Sequence, residues 1–200
     1  MEFKYENGVL ELNREITDLD KAVFDFISHL EESKIKYVII SGYVAIAMGR
    51  SRTTEDIDIF MEEIEAAKFE PFAKKLKKDG YWIINADDID DAFDMLKHNL
   101  AIRFAEKGRV IPNFEVKFPK KDTDFLSLSD PLKVVISGHK LLMSPLEIQI
   151  PFKIWLGSDK DIEDAVHLYS LFKDKLNKDF MESISSKLKV DKKMIKYGIK

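Results

Sequence analysis

The stretch Val38–Met61, VIISGYVAIAMGRSRTTEDIDIFM, limits what this chain can fold into more than any other. An apolar run from Tyr37 to Ile40 stops at Ser41-Gly42. A small-residue segment continues to Gly49, a polar arm runs from Arg50 to Glu55, and the alternation Asp56-Ile57-Asp58-Ile59-Phe60 follows. That order predicts a strand, a turn into a short helix, a loop and a second strand. Successive side chains of a strand point to opposite faces, so Asp56 and Asp58 share one face about 7 Å apart and Ile57 and Ile59 take the other. A D-x-D pair of this kind is either solvated on a half-buried strand or a ligand set, because hard divalent cations take oxygen ligands from neighbouring carboxylates. The Ser41-Gly42 turn adds weight to the second reading: a strand turning at glycine into a helix presents backbone N–H groups suited to phosphate.

Composition bounds the rest. With 45% hydrophobic residues over 200 positions the chain can bury a proper core. No apolar run has the length of a membrane span and MEFKYENGVL lacks a signal-peptide core, so a soluble, cytoplasmic protein is expected. The absence of cysteine excludes disulfides and thiolate metal sites. A net charge of −4 argues against general electrostatic affinity for nucleic acid and leaves only local basic patches, such as the lysine-rich tail from Lys187 to Lys200, to touch RNA or a partner protein.

The parts Ile40-Ser41-Gly42, Arg52-Thr53-Thr54 and Asp56-Ile57-Asp58-Ile59 resemble the nucleotidyltransferase superfamily that includes DNA polymerase beta, especially its small prokaryotic AbiEii-like and DUF6036-like members. The resemblance covers Tyr37 to Met61 well and the remainder weakly. Ser41 departs from the pattern, standing where the first glycine is usual, and serine lacks glycine's freedom at positive φ. The resemblance implies an α+β fold: a mixed β-sheet nucleotidyltransferase core flanked by helices, with C-terminal helices. It further implies two Mg²⁺ or Mn²⁺ ions that stabilise the attacking and leaving oxygens, held by Asp56 and Asp58 and by a third carboxylate from a later strand that completes the second-metal site or helps activate the acceptor hydroxyl. Glu115 in NFEVKF is the candidate, sharing a strand face with Lys117. Lys153 and the following Lys160-Asp161-Ile162-Glu163-Asp164 are similar to a family arrangement in which a helical lysine reaches the nucleotide phosphates and an aspartate, here Asp161, supports the rim. Ordinary capping by Ser158 and i, i+4 pairing account for the same residues equally well.

In chain order, an N-terminal hairpin arm turns at Asn7-Gly8, and a helix capped at Thr17 or Asp18 carries Leu19, Val23, Phe26, Ile27 and Leu30 on one stripe. Helices are expected over residues 64–79 and 87–97, strands at Tyr81–Ile84, and hairpins from Leu100–Ala105 with Asn113–Phe118 and from Leu132–Ile136 with Lys140–Met143. Ser144-Pro145-Leu146-Glu147 reads as a capping box opening a helix to about Leu156, and another helix covers residues 159–176. The aspartates of residues 87–94 lack the glycine and terminal glutamate of an EF-hand loop and read as surface charge. The four histidines show no metal-ligand spacing. Dinucleotide, P-loop and serine-hydrolase fingerprints are missing.

The division expected is a core over residues 1–143 with a helical region, residues 144–200, packed on it. The function expected is metal-dependent transfer of NMP from an NTP to a hydroxyl on RNA (a tRNA, for example), a protein or a small molecule. Ser41, Gly42 and the Arg50–Thr54 arm would bind nucleotide, Arg50 or Arg52 offsetting phosphate charge through a guanidinium fork. The alternative is a catalytically silent nucleotide- or partner-binding module of the same fold, toxin–antitoxin related, which Ser41 favours.

Overall fold

The computed structural model describes residues 2–6 and 8–200. The turn expected at Asn7-Gly8 falls partly outside them. Strands β1 (Glu2–Glu6) and β2 (Val9–Asn13) form the N-terminal arm. Helix α1 (Asp18–Glu32) follows, capped by a reciprocal Thr17–Asp20 box. Then come β3 (Tyr37–Ile40), α2 (Gly42–Ala47) and β4 (Asp56–Met61). Next are α3 (Ala66–Lys78), β5 (Tyr81–Ile83), α4 (Ile89–Lys97), β6 (Ile102–Glu106) and β7 (Asn113–Lys117). Helix α5 (Asp122–Ser129), strands β8 (Leu132–Ile136) and β9 (His139–Met143), and helices α6 (Leu146–Leu156), α7 (Asp159–Phe172), α8 (Lys178–Leu188) and α9 (Asp191–Lys196) complete the described chain. Among the described residues no helix is long and apolar enough to cross a membrane.

All the strands join one mixed sheet in the order β1-β2-β8-β9-β3-β4-β7-β6-β5. Its centre is β3, antiparallel to β4 with Ile40 opposite Asp58, and β4 is parallel to β7 with Asp58 opposite Glu115. The parity expected from DIDIF holds: Ile57 and Ile59 are fully buried and the aspartates half-buried. Beneath the sheet, Phe26 of α1 stacks on Phe114 of β7 with centroids 4.1 Å apart, so the strand bearing Glu115 is anchored from its apolar side. On the opposite face Val38, Ile40 and Phe60 form a smaller apolar cluster with Leu128 of α5. That helix therefore covers one end of the acid-bearing face and leaves the Asp58–Glu115 row beside it.

Some boundaries differ from the sequence reading. Helix α6 begins one residue later than the capping box required: Pro145 is its N-cap, and Ser144 is fully buried, its hydroxyl 2.8 Å from that of Ser127. A serine bonded to a neighbouring helix is not free to cap its own. Helix α3 is shorter at its start, and α7 stops at Phe172. Helix α5 has no counterpart in the sequence reading, because DTDFLSLS shows little amphipathic periodicity and its packing is decided by the sheet face above it.

Candidate active site

Three carboxylates lie along one face of the sheet. Asp56 and Asp58 come from β4, and Glu115 from the adjacent strand, with Asp58 and Glu115 as register partners. The Lys117 ammonium bridges them, its Nζ 3.0 Å from Asp58 Oδ1 and 3.2 Å from Glu115 Oε1. Those carboxylate oxygens can therefore be no further apart than the two distances together. Glu115's other oxygen accepts from Arg103 Nη2 at 2.8 Å and Nε at 3.1 Å across the β6–β7 pair. Burial pushes the Asp58 carboxyl above the usual carboxylate range, opposed by Lys117. Burial acts the same way on Glu115, but Arg103 and Lys117 outweigh it and hold that carboxyl low. Lys117 is itself raised: burial lowers it, and the Asp58 and Glu115 charges more than compensate.

The turn between β3 and α2 brings the backbone close to these acids. Ser41 sits at φ 62°, ψ −127°, outside the small left-handed pocket open to side-chain-bearing residues and close to territory that is glycine's alone. The usual glycine conformation is thus kept although the residue is serine. The Ser41 N–H donates to Oε1 of Gln149, a buried side chain of α6. Sequence reasoning missed Gln149, since a lone glutamine on an apolar helix carries no motif. Gly42 cannot be replaced without disturbance: a Cβ there would lie 2.5 Å from Arg52 Nη2 and 3.3 Å from Thr54 Oγ1. The arm from Arg50 to Glu55 is therefore folded back over the turn. Thr54 Oγ1 donates to the Asp56 carbonyl at 2.9 Å and fixes the start of β4.

Asp164, fully buried on α7, holds that arm down. Its oxygens accept from Arg52 Nη2 at 2.9 Å and Nε at 3.1 Å, and pair with Lys153 Nζ at 2.9 Å. Arg50 Nε lies 3.7 Å away, and the Arg50 guanidinium also reaches Glu163. Lys153 is 1% exposed and takes Asp161 as a second partner at 3.0 Å. Asp161 in turn bonds Ser158, the N-cap of α7, so the capping account of this helix start holds beside the ion pair. Lys153, Arg50 and Arg52 are thus brought together around Asp164, with Asp161 as a second partner of Lys153. They form an ion-pair cluster next to the turn, apart from the acid row.

The donor set can be tested for a divalent cation. Mg²⁺ is usually held by one or two carboxylates together with substrate phosphates, and Asp56 and Asp58 supply that. Asn113, the register partner of Asp56, adds a buried Oδ1 that accepts no hydrogen bond. These residues would offer oxygens to one ion, Asp58 through the oxygen that Lys117 leaves free. A second ion between Asp58 and Glu115 does not fit, because the Lys117 ammonium bridges that gap and Arg103 takes Glu115's other oxygen. Among the described residues no cluster of three metal-ligating side chains is formed.

No family model matches the chain, and no curated protein is similar to it in sequence. Solved structures are similar in shape. An antigenic nucleotidyltransferase-like protein from Paracoccidioides brasiliensis matches over 90% of this chain and 91% of its own, with a TM-score of 0.53 at 17% identity. The fold is that of nucleotidyltransferases. The lincosamide antibiotic adenylyltransferase LnuA, bound to lincomycin, matches over 78% of this chain and 99% of its own, with a TM-score of 0.50 at 15% identity. ANT(2")-Ia in complex with adenylyl-2"-tobramycin matches over 86% and 98%, with a TM-score of 0.55 at 12% identity.

Proposed function

We propose that this chain is a nucleotidyltransferase that moves NMP from an NTP to a hydroxyl acceptor, releasing pyrophosphate. The observation that carries the reading is the juxtaposition of Asp56 and Asp58 with the strained Ser41-Gly42 turn, at the adjoining ends of two antiparallel strands. Asp56 and Asp58 would hold a Mg²⁺ or Mn²⁺ ion against the triphosphate, and such an ion neutralises charge that builds on the phosphates during in-line transfer. The opening N–H groups of α2 that follow Ser41 would serve a phosphate oxygen, the Ser41 N–H itself being engaged by Gln149. Arg52 and Lys153 act through Asp164: Lys153 and Arg52 share its carboxylate, and the Arg52 side chain is thereby held against Gly42. Arg50 stiffens the same arm. Glu115, held low by two cations, is a poor proton acceptor; its part is to position Lys117 and Arg103 beside Asp58.

Among acceptors, a small hydroxylated molecule is favoured over RNA or protein. Solved proteins of this fold include adenylyltransferases bound to an antibiotic or to its adenylylated product. The chain's net charge of −4 gives no general attraction to a polyanion. The test incubates the protein with each α-labelled NTP, Mg²⁺ or Mn²⁺ and a small-molecule cell extract. Transfer that is lost in Asp56→Ala and in Asp58→Ala is expected; transfer that survives both would overturn the metal site. The Lys117 bridge favours a second reading, a silent nucleotide-binding module, toxin–antitoxin related or otherwise partnered. That version predicts nucleotide binding without any labelled product.

A further inference from the structure

The acid row has two unlike ends. Around Asp56 the neighbouring groups carry oxygen: Asp58 on the same strand, the Thr54 hydroxyl 3.4 Å from Asp56 Oδ1, and Asn113, its register partner, with an unpartnered Oδ1. Around Glu115 they are cations. Lys117 Nζ takes one Glu115 oxygen and the facing Asp58 oxygen, and Arg103 takes the other Glu115 oxygen. The lysine is not a stray surface side chain. It lies two residues beyond Glu115 on the same strand face, its ammonium 5.8 Å from the centroid of Phe60, and only 28% of its side chain is exposed. Asp58 and Glu115 are more buried still, at 17% and 15%, and two carboxylates so placed require a compensating cation.

We infer that the Lys117 ammonium occupies the position of a second divalent ion, so that this chain binds its nucleotide with one divalent ion, on Asp56 and Asp58, and supplies the other positive charge from β7. The inference rests on the nucleotidyltransferase reading above. Lysine suits the place: it is a compact point charge on a flexible stem, able to reach between two carboxylates one strand apart. A divalent ion entering the same gap would meet the ammonium and the guanidinium as like charges within a few ångströms, and would find both oxygens of Glu115 already engaged. The acceptor would then be received beside a fixed, covalently attached charge whose occupancy does not depend on free metal concentration.

The experiment counts ions. Full-length protein is taken to equilibrium dialysis against radioactive Mn²⁺ with a saturating equimolar mixture of the four α,β-methylene NTP analogues, which bind without transferring. The wild-type chain is expected to bind one Mn²⁺, Lys117→Met two, and Lys117→Arg, which keeps the charge, one. Two ions on the wild type would overturn the inference and leave the nucleotidyltransferase reading intact, as would a single ion on Lys117→Met. No ion on the wild type, with Asp56→Ala and Asp58→Ala indistinguishable from it, would overturn both. If circular dichroism shows that Lys117→Met does not fold, Lys117→Gln replaces it with the same outcomes, and the wild-type count decides regardless.

Discussion

Replacing Asp164 with asparagine removes one negative charge and almost no volume, at a position that is 0% exposed. The two side chains it neutralises most directly are themselves withdrawn from water, Lys153 at 1% and Arg52 at 10%. Each aspartate oxygen faces a cation: Oδ1 accepts from Arg52 Nε, and Oδ2 from Arg52 Nη2 and Lys153 Nζ. Whichever oxygen becomes the amide NH₂ therefore points a donor at a donor. Removing one partner of a buried ion pair typically costs about 3–5 kcal/mol, because the remaining charge is left uncompensated. Lys153 keeps Asp161, which moderates the loss for one cation, and Arg52 keeps the Thr53 carbonyl and the single amide oxygen left at position 164. We therefore expect about 3–4 kcal/mol, a large part of the 5–15 kcal/mol by which a domain is usually stable. Urea denaturation would read the loss directly, and the melting temperature would fall by about 10 °C. Asp161→Asn is the control, expected near 1 kcal/mol because Asp161 is partly solvated and Lys153 retains Asp164. An Asp164→Asn loss of less than about 1 kcal/mol would refute the reasoning, since it would mean that the cations reach water once released.

Gly42→Ala should cost about 1–3 kcal/mol and weaken nucleotide binding, because the added methyl meets the end of an arginine that Asp164 prevents from moving aside; denaturation and nucleotide titration check it. Ser41→Gly should raise stability by about 1 kcal/mol through relief of its φ of 62°, less the entropy that glycine adds to the unfolded chain, as a urea midpoint would report. Gln149→Leu should cost about 1–3 kcal/mol, the Ser41 N–H being left without its acceptor, and hydrogen exchange should speed up at the turn amides and stay unchanged elsewhere. For acid stability the group to watch is Asp20. Burial pushes its carboxyl up, but the Arg14 fork, the Tyr43 hydroxyl and Thr17 bring it down from 3.8 to about 2. A depressed carboxyl contributes stability above its unfolded value that is lost as pH falls toward the folded one, so about 2 kcal/mol should disappear between about pH 4 and pH 2. Asp20→Asn should flatten that part of the stability-against-pH curve.

The elements around the site were legible because each rests on a local rule. Alternation in DIDIF fixed which side of β4 carries the acids, and Thr17 marked the start of α1, although its reciprocal partner Asp20 showed only in the structure. NFEVKF placed Glu115 and Lys117 on one strand face by the same period of two. What alternation could not say is which strand lies alongside. That β4 pairs with β7 in parallel, with Asp58 opposite Glu115, is settled by packing of residues more than fifty positions apart, and only that pairing carries Lys117 into the gap between the two acids. Asp164 shows the same division. Its place on a helix follows from spacing along α7, but its role comes from Arg52 and Lys153 arriving from other elements to surround it. Short-range periodicity is written in the chain because it depends on the backbone's own geometry. The charge at the site depends on long-range contacts, and these exist only once the sheet has closed around them.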